Sequence, residues 1–156
     1  MLRDTLQTVN GFSMADDTLK ADAYELSKQV GFNLRRANQR HVSIFAKHVT
    51  GLTPTQFAAL ARLAECGAVS QNKLGRLTAM DSATIKGVVE RLRAKGLVTS
   101  TTDQGDQRLR MVNLTEDGHA AFEVARVQAL AARAETVAPL TPNETHTLEA
   151  LLAKLI

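Results

Sequence analysis

The stretch that decides the fold is SQNKLGRLTAMDSATIKGVVERLRAKGLVTSTTDQGDQRLRMVNLTEDG, residues 70–118. Ser70 stands where an N-cap would open a short helix carrying Leu74 and Leu77. Thr78-Ala79-Met80 is a tight connection, and Asp81 caps a further helix in which Ile85, Val88, Val89 and Leu92 recur at helical spacing. Lys95-Gly96-Leu97 has the form of a glycine C-cap with its hydrophobic follower. The character then changes. Leu97–Thr102 is rich in β-branched residues, Asp103-Gln104-Gly105-Asp106 is turn chemistry, and Leu109–Leu114 reads as a returning strand.

Working outward, Thr53-Pro54-Thr55-Gln56 is a capping box with proline at the first helical position. It opens a helix through Phe57, Leu60 and Leu63 that stops at Cys66-Gly67. Upstream, Leu26, Val30, Leu34, Ala37, His41, Phe45 and His48 predict one long helix from about Ala21 to Thr50-Gly51. Downstream, Thr115 caps a helix to about Thr136, and Thr141-Pro142-Asn143-Glu144 opens a last one bearing Leu151, Leu152 and Leu155. Residues 1–20 show no sustained period and are expected to be flexible. The expected fold is mainly α with a minor β part. One domain spans 21–156, with a winged helix-turn-helix over 52–118 and flanking helices over 21–50 and 119–156.

The chain has 156 residues, 19 Lys and Arg against 16 Asp and Glu, and a formal charge of +3. That balance is uneven. Residues 70–110 hold eight basic and four acidic side chains, a local +4, and the remainder is slightly acidic. A basic segment of this kind is the footprint of a phosphate-backbone partner, although solvated helix faces would look the same. One Tyr, five Phe and no Trp argue against a surface that stacks unpaired bases. No run spans a bilayer and no apolar leader is visible, so a cytoplasmic protein is expected. The single cysteine, Cys66, excludes an internal disulfide and a cysteine-rich zinc site. His41 and His48 lie seven apart but offer too few ligands for a metal. There is no phosphate-binding glycine loop, H-E-x-x-H or nucleophile elbow, so neither an enzyme nor a cofactor is expected.

The phrases LTPTQFAAL, SQNKLGRLTAMDSATIKGVVERLRAKGLV and DQGDQRLRMVNLTEDG resemble the MarR family of bacterial transcription regulators. LRRANQRH, ATIKGVV and APLTPNE resemble, within it, repressors of aromatic-acid and nicotinate catabolism. The resemblance implies a homodimer on a pseudo-palindromic duplex operator, relieved by a small aromatic carboxylate. Hydroxynicotinate is favoured, with benzoate- or hydroxycinnamate-type acids as alternatives. A redox role for Cys66 is a further alternative, which the neighbouring Glu65 disfavours.

Transferred residue by residue, the resemblance puts the helix that begins after Asp81 into a major groove, offering Ser82, Thr84, Lys86 and Arg91. Gly87 departs from a position where relatives often carry a larger polar residue. Arg108 matches the wing arginine that enters a minor groove, and Asp106 the residue that orients it, unless the two merely pair with each other. Arg110 offers a phosphate contact, as do Ser70 and Gln71 at a helix start, whereas Arg93 and Lys95 read as solvated. For the effector, Asn38 and His41 lie on or beside the apolar stripe, Arg36 and Arg40 flank them, and Phe45, Phe57 or Met80 would supply an apolar wall. The alternative for His41 is a hydrogen-bonded core or interface histidine.

Overall fold

The computed structural model describes residues 24–102 and 110–156. Among the described residues six α-helices and three strands follow in the order α1 (Val30–His48), α2 (Pro54–Cys66), β1 (Val69–Ser70), α3 (Gln71–Leu77), α4 (Ser82–Ala94), β2 (Val98–Thr102), β3 (Arg110–Leu114), α5 (Glu116–Val137) and α6 (Pro142–Ala153). Among the described residues no helix is long and apolar enough to cross a membrane. The chain falls into two units that part within α1, between Ala37 and Asn38.

In the first unit the helix begins later than its periodicity predicts. A single 3-10 turn, Leu26–Lys28, is separated from α1 by an extended Gln29 at φ −79° and ψ 128°. Two side chains take carbonyls that a continuous helix would have used. Gln29 Nε2 donates to the Glu25 carbonyl at 3.1 Å, and Asn33 Nδ2 donates to that of Ser27 at 3.0 Å. Residues 21–23 and the flexible stretch expected at 1–20 lie outside the described residues.

In the second unit the predicted caps form. Thr53, Ser70, Asp81, Thr115 and Thr141 each accept the backbone N–H three residues on, and Thr53 and Thr141 complete capping boxes with Gln56 and Glu144. Each such cap contributes about 1 kcal/mol. The chain turns with φ of +78°, +68° and +72° at Gly51, Gly67 and Gly96, the glycines at which the sequence ends its helices.

The sheet has three strands in the order β1-β3-β2, not the two of a bare hairpin. Val69 pairs with Val112 and Ser70 with Met111, while β2 pairs with β3 from Val98↔Leu114 to Thr102↔Arg110. Two residues are too short for a strand period to show in sequence, so β1 exists only through its pairing.

Two apolar clusters hold this unit. The larger joins α2, α3, α4 and the sheet through residues including Leu60, Leu63, Leu74, Ile85, Leu92 and Val112. Full burial of one such leucine contributes about 1.5–3 kcal/mol. The smaller joins α1 to α5 through Ile44, Phe45, Val49, Ala125 and Ala132, with Leu52, Phe57 and Ala129 against it.

The α3–α4 corner is the tightest point. Met80 N–H returns to the Gly75 carbonyl at 2.9 Å, and Ala79 between them is the one non-glycine residue at positive φ among those described, at +52°. A left-handed alanine costs about 1 kcal/mol. Ala79→Gly is therefore expected to stabilise the fold by about 0.5 kcal/mol after its greater unfolded-state entropy is deducted, measurable as a higher midpoint in urea.

Candidate nucleic-acid interface

Position on α4 follows from its buried stripe. Ile85, Val88, Val89 and Leu92 face the core, so the remaining positions face outward. Ser82, Thr84, Lys86 and Arg91 are all exposed. Asp81 holds the first turn. Its carboxylate accepts from the Thr84 N–H at 2.7 Å, and that bond keeps the carboxyl below its ordinary range.

Lys86, Glu90 and Arg93 follow at helical spacing and line one side of a groove of about 530 Å³. Gln71, the first residue of α3, with Ser100 of β2 and Arg110 of β3, closes the other side. Three cations against one carboxylate give this groove between α4 and the wing a positive balance, the charge that a polyanion requires. Arg93 and Ser100 are the residues that sequence reasoning missed. The spacing Lys86-Glu90-Arg93 was visible, but what faces it depends on where the sheet folds back.

The other expected contacts are distributed differently. Ser70 is committed as the α3 cap, accepting from Lys73 N–H at 3.3 Å. Ser82 borders a smaller hollow of about 320 Å³ with Asn72, Arg76 and Met80. Arg91 lies away from the groove and borders a hollow at the α1–α2 corner with Val49, Leu52, Thr53 and Lys95. Lys95 is not simply solvated. Its Nζ donates to the Gly51 carbonyl and, at 3.4 Å, to Gln56 Oε1, tying α4 to that corner. Asp106 and Arg108 lie outside the described residues.

The residues expected at an effector site are partly brought together. Arg40 donates to the carbonyls of Thr136 at 2.5 Å and Glu135 at 3.2 Å, and so caps the C-terminus of α5, where a cation is favoured. His41 Nδ1 lies 3.0 Å from Thr136 Oγ1. That hydroxyl donates to the Ala132 carbonyl at 2.8 Å, so it must accept from the ring, which assigns the proton to Nδ1 and leaves Nε2 free of this bond. Two turns further along α1, His48 and Lys47 meet Glu135, which accepts from them at 2.6 Å and 2.9 Å. The His48 bond, then the Lys47 bond, holds its carboxyl below the ordinary range.

A file of rings starts beside this cluster. His41 to Phe45 is 6.1 Å between centroids, Phe45 to Phe57 is 5.8 Å, and Phe57 to Phe122 is 5.9 Å. The file ends in the larger core, against which Phe122 packs.

Met80 does not join this group. It packs at the α3–α4 corner against the larger cluster, because it immediately precedes the Asp81 cap and its chain is held by Gly75. Arg36 belongs to the first unit, where its guanidinium lies 5.8 Å from the Phe32 ring, and Asn38 is exposed at the start of the second. Cys66 is exposed at the end of α2, with the nearby Glu65 paired to Arg62 at 2.6 Å. Among the described residues no group of three His, Cys, Asp or Glu is placed to hold a metal ion.

A short helix, a tight corner, an exposed second helix and an antiparallel wing beside a cationic groove define a winged helix-turn-helix of the DNA-binding class. Residues 50–109 match the model of the MarR family. The chain belongs to that family of transcription regulators, a regulatory rather than a catalytic class. It is 39% identical over 135 residues to the HTH-type transcriptional repressor NicR of Pseudomonas putida, covering 85% of each chain. Among solved structures it resembles a probable transcriptional regulator from Pseudomonas aeruginosa, with 50% identity, TM-score 0.82, and coverage of 85% of this chain and all of that one. It also resembles Bordetella bronchiseptica BpsR, whose DNA binding is regulated by 6-hydroxynicotinic acid, with 40% identity, TM-score 0.81, and coverage of 86% and 97%.

Proposed function

We propose that this chain is a dimeric repressor whose grip on a pseudo-palindromic operator is relieved by a hydroxynicotinate-type acid. The observation that carries this reading is the joint similarity to the transcriptional repressor NicR and to BpsR, whose DNA binding is regulated by 6-hydroxynicotinic acid, each matched over 85% or more of this chain. The geometry supports it in three places.

The groove of Lys86, Arg93 and Arg110 suits a phosphate backbone beside a helix that reads base edges, with Asp106 and Arg108 on the wing as the expected minor-groove pair. Leu148, Leu151 and Leu152 of α6, with Leu155 and Ile156 just beyond it, form an uncovered apolar strip, which a second copy would bury. The cluster of Arg40, His41, Phe45 and Phe57 offers a cation for a carboxylate, an accepting ring nitrogen for a hydroxyl on the ligand and aromatic walls, the chemistry that a hydroxylated aromatic acid needs.

A ligand that binds there shifts DNA affinity only by preferring a form that spaces the recognition helices wrongly. The ring file from His41 to Phe122 gives the site a packed connection to the DNA-reading core. His41→Ala is expected to leave duplex binding within about twofold of the native protein and to lose at least about tenfold in effector sensitivity, since the hydrogen-bonding ring nitrogens are removed. Thermal shift with 6-hydroxynicotinate, nicotinate, benzoate and hydroxycinnamate tests the ligand class. The hydroxynicotinate should raise the melting temperature most, and a panel without any shift would refute the class.

A further inference from the structure

α4 carries a glycine in its middle, where glycine is the poorest helix former after proline. The space above it is used. A Cβ placed on Gly87 would stand 3.4 Å from Nη2 and 3.7 Å from both Cζ and Nη1 of Arg91. The arginine folds back one turn toward the helix N-terminus, the direction in which helical side chains lean, and its guanidinium lies over the bare backbone. Arg91 is exposed, and its guanidinium has no hydrogen bond or ion pair among the described residues. Lys86 and Arg93 sit on the opposite flank, in the groove shared with Arg110. The outward face of α4 therefore has cations on both sides.

A helix in a major groove meets a phosphate strand on each wall. We infer that Gly87 is the seat of Arg91. The missing side chain lets the guanidinium lie flat along α4 and contact the phosphate wall opposite the one held by Lys86, Arg93 and Arg110. The inference rests on α4 being the DNA-reading helix.

The test uses the full-length protein and a duplex enriched by it from a random-sequence library. Arg91→Ala should weaken binding about tenfold at 0.15 M salt and lower the slope of log K against log salt by about one. Gly87→Leu should reproduce both effects, with a melting temperature no lower than that of the native protein, because leucine serves a helix interior better than glycine. In the Arg91→Ala background Gly87→Leu should add less than about twofold. Gly87→Leu with native affinity and salt slope would overturn the inference. So would an equal loss in the Arg91→Ala background, since leucine would then obstruct the duplex directly. If Lys86→Ala weakens binding while Arg91→Ala does not, only the seat fails. If the native protein selects no duplex at all, the DNA-reading role of α4 fails with it.

Discussion

Gly118→Ala is expected to destabilise the protein by at least about 3 kcal/mol and lower its melting temperature by about 6–12 °C. A Cβ at that position would lie 1.9 Å from the Leu97 carbonyl oxygen and 2.9 Å from its carbon. Both are backbone atoms, so no rotamer change relieves the clash. The surroundings are equally fixed. Thr115 donates its N–H to the same Leu97 carbonyl at 3.1 Å and its hydroxyl to Gly96 at 2.6 Å, while the Gly118 N–H donates to Thr115 Oγ1 at 2.9 Å. The first turn of α5 is thus laid directly on the chain leaving α4. This contact explains why a glycine stands three residues after the Thr115 cap that follows the wing strand. Gly31→Ala is the matching control. It has nothing within 4 Å of the added atom and sits in the first turn of α1, so it should be neutral or gain up to about 0.5 kcal/mol. Two thermal melts decide between packing and a general intolerance of helix glycine replacement.

The second large effect is electrostatic. Replacing Lys86, Arg93 and Arg110 together by alanine should reduce duplex affinity at least about 100-fold near 0.15 M salt. The slope of log K against log salt should fall by about three, one for each phosphate that is no longer neutralised. The fold should survive, because none of the three side chains is in an ion pair among the described residues and each is exposed. Anisotropy titrations over a salt series measure both quantities. An unchanged slope would mean that the groove faces solvent and the duplex lies elsewhere.

Helix starts were legible because their chemistry is local. Thr53, Ser70, Asp81, Thr115 and Thr141 each bond a backbone N–H three residues away, and a reader of sequence needs no tertiary knowledge to see that. The late start of α1 was not legible, because its apolar spacing continues through Leu26 while side-chain bonds from Gln29 and Asn33 interrupt the backbone ladder. β1 was hidden for the opposite reason. Its two residues carry no period and gain strand character only opposite Met111 and Val112.

The site divides in the same way. Lys86 and Arg110 could be named from charge and resemblance, but their convergence with Arg93 and Ser100 required the sheet to be in place. Arg40 reads as a flanking charge in sequence, and its role as the cap of α5 spans 96 residues. Met80 suits an apolar wall as Phe45 and Phe57 do, but the Gly75 turn holds it in the other cluster.

Relief of operator binding by a hydroxynicotinate is measured by titrating the native protein, bound to its selected duplex at about 0.15 M salt, with 6-hydroxynicotinate while following duplex anisotropy. The signal should fall to the free-duplex value for the native protein and stay high for His41→Ala. A duplex that remains bound to the native protein through saturating 6-hydroxynicotinate would rule out a hydroxynicotinate-relieved repressor.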